Sequence, residues 1–94
     1  MLHHIIVKWN DQVTDKAAIA AQVAALYAPA TDIPGVRGVT LKPNVVARPN
    51  RYDLMIVLDM AAEALPVWDA SDLHKQWKTD FGGLIAQKAI FDCD

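Results

Sequence analysis

Along the first nine residues apolar side chains fall on both sides of a period-two pattern, with His3, Ile5, Val7 and Trp9 on one face and Leu2, His4, Ile6 and Lys8 on the other. The Ile and Val content and the alternation predict a strand over 2–9 that is covered on both faces. Asn10 and Asp11 mark a turn. From 14 to 28 the period becomes helical: Ala20, Val23, Ala24 and Tyr27 form a stripe flanked by Ile19 and Leu26, Thr14 is the expected N-cap, and Asp15 sits in the first turn. Pro29 is expected to end that helix.

Ile33-Pro34-Gly35 is loop punctuation, and Val36, Val39 and Leu41 fit a second strand that ends near Pro43-Asn44. Residues 45–50 read as a connecting loop. The clearest alternation lies over 52–60, where Tyr52, Leu54, Ile56, Leu58 and Met60 share one face and Met55 and Val57 lie between Asp53 and Asp59 on the other. Residues 62–81 read as a broken helix: Pro66 is tolerated only in a first turn, and Ser71-Asp72 offers a fresh N-cap. In its second piece His74, Trp77 and Phe81 fall at i, i+3 and i+7 and make one inward stripe. Gly82-Gly83 stops the helix, and 84–91 supplies a last strand.

The order βαββαβ in a single domain, residues 1–94, predicts an α+β fold of ferredoxin-like type, a four-stranded antiparallel sheet with its helices on one face. The other face is then bare. About five large side chains left in water there, at roughly 1.5 to 3 kcal/mol each, would rival a whole domain's stability of roughly 5 to 15 kcal/mol. A homodimer closed through the two sheet faces, forming a barrel between subunits, is the expected remedy.

Composition narrows the partners. Hydrophobic residues make up 53% of the chain against 21% charged, as in a folded globule. The net charge of −2 comes with no block of basic residues, so neither nucleic acid nor an anionic membrane is expected as a partner. The single Cys93 leaves no disulfide framework and no zinc cluster, which fits a reducing cytoplasmic setting. No segment approaches the ~20 apolar residues of a membrane span, and no leader pattern is recognisable.

Candidate chemistry rests on two distant histidines, His3 and His74. Imidazole is the one side chain whose ordinary pKa, near 6.5, lets it take a proton from carbon or return one to a carbonyl oxygen near neutral pH. The alternative is that each is a buried histidine held by a backbone partner. Ile5, Val7, Tyr27, Trp68, Trp77 and Phe81 could line a pocket for a flat apolar ligand, or simply fill the core. His4 points away from His3. A metal could be imagined on His3, His74 and Asp92, but no local ligand spacing supports it. Asp69 and Asp72 read as capping or solvated. No phosphate loop, nucleophile elbow or pair of buried carboxylates is recognisable, so nucleotide hydrolysis and acyl-enzyme chemistry are not expected.

The opening His-x-Ile-x-x-Lys-Trp, the Ile33-Pro34-Gly35-Val36 turn, Tyr52-Asp53-Leu54, Trp68 with His74 six residues later, and the closing Phe91-Asp92 together resemble the stress-responsive dimeric α/β-barrel (Dabb) family over essentially the whole chain. The resemblance implies a ferredoxin-like protomer that dimerises through its sheets, with a pocket between sheet and helices. It also implies, from a plant polyketide cyclase of that family, functional histidines at His3 and His74 that work without cofactor or metal. Where that cyclase has a pocket tyrosine this chain has Trp68, whose indole donates but cannot accept. The expectation is therefore a pocket for a small hydrophobic or aromatic carbonyl compound, with cofactor-free cyclase-like or lyase-like chemistry if it is an enzyme. The competing expectations are a non-catalytic stress-associated binding module and a cofactor-independent monooxygenase of a neighbouring barrel family.

Overall fold

The computed structural model describes residues 1–94, and its element order is β1 (Leu2–Trp9), α1 (Lys16–Tyr27), β2 (Val36–Pro43), β3 (Leu54–Met60), α2 (Leu65–Ala70), α3 (Asp72–Phe81) and β4 (Ile85–Cys93). Short 3-10 turns occupy Ala28–Asp32, Ala62–Ala64 and Gly82–Leu84. The strands form one sheet in the order β2-β3-β1-β4 with every pair antiparallel. This is the ferredoxin-like fold. No helix is long and apolar enough to cross a membrane.

The period-two pattern of β1 sorts its side chains cleanly. His3, Ile5, Val7 and Trp9 are buried, while Leu2, His4, Ile6 and Lys8 are half-buried on the opposite face. Leu54, Ile56, Leu58 and Met60 of β3 join the buried set, and Ile19, Val23 and Tyr27 of α1 pack down onto it with Trp68, Trp77 and Phe81. The stripe of α1 is thus centred on Ile19, Val23 and Tyr27 rather than on the alanines. Ala24 is exposed, because the larger side chains of the adjoining face are the ones that reach the sheet.

Local boundaries differ from the sequence reading for identifiable reasons. Asp15, not Thr14, caps α1, its carboxylate accepting from the Ala18 N–H at 3.0 Å. Past Tyr27 the chain tightens into a 3-10 turn carrying Pro29 in its first positions and does not simply stop. Tyr52 lies outside β3, which begins at Leu54, and β4 continues past Phe91 to Cys93 because β1 offers it partners as far as Leu2. At Gly35 the backbone has φ of 86°, and an added Cβ would lie 2.5 Å from that of Ala64. Gly35 also accepts from the Ala61 N–H at 3.0 Å, so the turn into β2 is seated directly against the turn that launches α2.

On the open face, register places Leu2 and Ile6 of β1, Met55 and Val57 of β3 and Phe91 of β4 in one apolar field around His4. Phe91 is 61% exposed there, edge-on to the His4 ring.

Candidate functional site

The helix layer ends over β1 and leaves the inner face of β4 uncovered. Ile5 and Val7 are buried, yet their β4 neighbours Ile90 and Lys88 remain exposed. The groove that results is a cavity of about 320 Å³ between β1, β4, α2 and α3. His3 and Asp92 line it from the sheet and His74 from α3, with Ile5, Trp68 and Trp77 among the walls.

His3 is 6% exposed, and β-pairing sets it directly opposite Asp92. Its Nδ1 lies 2.5 Å from Asp92 Oδ1. An ionised carboxylate only accepts, so Nδ1 carries the proton and donates. Nε2 is left for other work, and when the ring takes a second proton the carboxylate sits against the positive charge.

His74 is held by a different device. Ser71 caps α3 by accepting from the His74 N–H at 3.2 Å, and its hydroxyl donates to the Trp68 carbonyl at 2.7 Å, which locks the junction between α2 and α3. That bend brings His74 Nδ1 to 2.9 Å from the carbonyl oxygen of Asp69. A carbonyl oxygen cannot donate, so Nδ1 bears the hydrogen and the Nε2 lone pair of the neutral ring is free. The imidazole rests on Trp68 at a centroid separation of 5.0 Å. Both histidines therefore border one cavity, each with Nδ1 engaged.

Of the other side chains singled out from the sequence, Ile5, Trp68 and Trp77 line the cavity, whereas Val7, Tyr27 and Phe81 do not. Those three are packed into the core beneath the helices. Tyr27 lies against Trp68 and Trp77 at 5.7 and 5.6 Å between ring centroids, and its hydroxyl is buried with no hydrogen-bond partner. Burial pushes its phenol far above the usual range, so it keeps its proton at any physiological pH.

Three roles escaped the sequence reading. Asp92, which the sequence offers as a conceivable metal ligand and as part of the closing Phe91-Asp92, is the partner of His3; Asp69 contributes its backbone carbonyl; Lys88, Leu65 and Ile90 complete the lining. The order β2-β3-β1-β4 carries the missing signal, since it runs the last strand antiparallel beside the first and so sets residue 3 against the chain's end. No three His, Cys, Asp or Glu side chains converge closely enough to hold a metal ion.

No family model matches the chain, and no curated protein matches it in sequence. Solved structures do match. A dimeric protein of unknown function and ferredoxin-like fold from Bacteroides fragilis superposes with a TM-score of 0.80 at 12% identity, over 99% of this chain and 93% of its own. A Dabb family protein with a ferredoxin-like fold from Mesorhizobium loti gives 0.71 at 11% identity, over 99% and 93%. A hydroxynitrile lyase from Passiflora edulis gives 0.74 at 11% identity, over 96% and 87%. At such identities the likeness is one of fold.

Proposed function

We propose that this chain is a Dabb-type homodimer whose subunits each bind a small hydrophobic or aromatic carbonyl compound between sheet and helices, and act on it by cofactor-free acid/base chemistry. The observation that carries the reading is the cavity bordered by both histidines, each with its Nδ1 hydrogen committed to a fixed acceptor. An unprotonated Nε2 on His74 is suited to draw a proton from carbon. His3, backed by Asp92, is suited to polarise or protonate the carbonyl oxygen, and the two roles can be exchanged without altering the chemistry. Ile5, Trp68 and Trp77 supply the apolar walls, and such walls with a few placed polar groups are the usual make-up of a small-molecule site. The hydroxynitrile lyase among the neighbours is a lyase on this same fold.

The open sheet face supports the dimer. Five large apolar side chains on one face are the surface that a second sheet would cover, and the Bacteroides fragilis neighbour is itself dimeric.

Acetophenone is a suitable probe, because abstraction of its α-proton in deuterated water registers directly as deuterium incorporation. The expected result is binding followed on the histidine ring resonances, with enzyme-promoted exchange that falls roughly 100-fold or more in His74→Ala and His3→Ala. Exchange undiminished in both variants would sink the mechanism. Binding without any exchange would favour the non-catalytic module, and substrate-dependent oxygen uptake would favour a monooxygenase.

A further inference from the structure

At the far end of β1 from His3, a second hollow of about 330 Å³ is lined by Lys8, Lys16, Arg48 and Arg51, with Asp53 as its one acid and Asn44 at its edge. Lys8 lies five steps along the strand from His3, about 17 Å at the usual rise, and the two hollows share no lining residue, so this one is independent of the histidine cavity. Four of the chain's nine Lys and Arg residues meet there, against one of its eleven acids. The hollow thus carries +3 (4 − 1), while the rest of the chain carries −5 (5 − 10).

The concentration is built by the backbone. In the segment joining β2 to β3, the Arg51 N–H donates to the Arg48 carbonyl at 3.1 Å, closing a turn with Pro49 and Asn50 at its centre. Such a turn sets the Cα atoms of its first and fourth residues within about 7 Å, and both arginines line the hollow. Lys8 Nζ donates to the Pro49 carbonyl at 2.8 Å and ties the turn to β1. Asp53 is used up internally, accepting from the Trp9 N–H at 2.8 Å and from Lys16 at 2.9 Å. The side chains of Lys8 and Arg51 reach only uncharged acceptors, Arg51 meeting the Asn50 side chain, and the Arg48 guanidinium has no hydrogen-bond or ion-pair partner within the chain.

We infer that this hollow is an anion site for the phosphoryl end of a small molecule, of the charge and size of a pyrophosphate group. Two guanidinium groups and an ammonium around one hollow suit phosphoryl oxygens in charge and hydrogen-bonding capacity. A nucleic acid strand needs a basic track longer than one hollow, and the remainder of this surface repels it.

The test is calorimetric titration of the 94-residue chain with inorganic pyrophosphate at low salt. Binding is expected to weaken about tenfold in Arg48→Ala and in Arg51→Ala, to weaken as salt is raised, and to be unchanged in His3→Ala. The exposed Arg48 side chain makes no hydrogen bond or ion pair within the chain, so Arg48→Ala is expected to leave the unfolding free energy unchanged, which urea denaturation checks. Absence of pyrophosphate binding, or binding indifferent to both arginines, overturns the inference. So does an oligo(dT) strand that binds more tightly than pyrophosphate and depends on the same arginines, because the surface would then be one for nucleic acid.

Discussion

Two neutral devices and one charged one set the properties of single residues here. The Asp69 carbonyl and the Ser71 cap orient His74, the Asp92 carboxylate orients His3, and Tyr27 has nothing to orient it at all. Its buried hydroxyl gave up water and gained no hydrogen bond, a loss of about 1 to 3 kcal/mol for such a group. Tyr27→Phe is accordingly expected to raise the free energy of unfolding by about 1 kcal/mol, measured by urea denaturation near neutral pH. The pH dependence has a definite sign. Below pH 10 the tyrosine is protonated in both states and the group adds no slope. Above it the unfolded chain releases the proton while the buried phenol keeps it, so stability falls with pH by up to about 1.4 kcal/mol per unit. Parallel denaturations at pH 9 and 11 should show a shallower fall in Tyr27→Phe than in the parent.

The junction between α2 and α3 is the element on which the site depends. Ser71 faces both ways across it, accepting from one helix and donating to the other, and His74 occupies the first turn beyond. Ser71→Ala is expected to cost about 1 kcal/mol in unfolding free energy, the ordinary worth of an N-cap. It is also expected to free the His74 ring, seen as altered imidazole resonances. Loss of stability with unchanged His74 resonances would mean that the cap holds the helix but not the site. Much of this was legible in the sequence, since Ser71-Asp72 and the stripe of His74, Trp77 and Phe81 mark the helix and its inner face. The bend that delivers His74 to the Asp69 carbonyl was not, because it depends on how α2 is seated against the sheet.

At the scale of the whole molecule the open sheet face is the surface that asks for a partner. Val57 sits centrally in it, paired with His4 of β1 and Thr40 of β2. The dimer proposed above should sediment at about twice the 10.3 kDa of the chain. Val57→Asp would set a carboxylate in the middle of the apolar contact, where an unpaired charge is strongly disfavoured. Sedimentation at micromolar concentration should then report a monomer that keeps the parent's far-ultraviolet circular dichroism. A parent protein that is itself monomeric would remove the dimer from the proposal.

What the sequence determined by itself was the kind of each element and, for β1, β3 and the stripe of α3, the face it buries, because periodicity is a local property; the alanine-rich α1 instead buries Ile19, Val23 and Tyr27, a set that its spacing did not single out. It also pointed to His3 and His74, though not to what holds them. Tertiary structure alone decided the rest. It paired β4 with β1 and so gave His3 its carboxylate; it stopped the helices short of β4 and so left a cavity; it drew Val7, Tyr27 and Phe81 into the core instead. The same holds for charge. A chain with no basic run still gathers Lys8, Lys16, Arg48 and Arg51 around one hollow, because the sheet and one turn bring together residues that lie up to 43 positions apart (51 − 8).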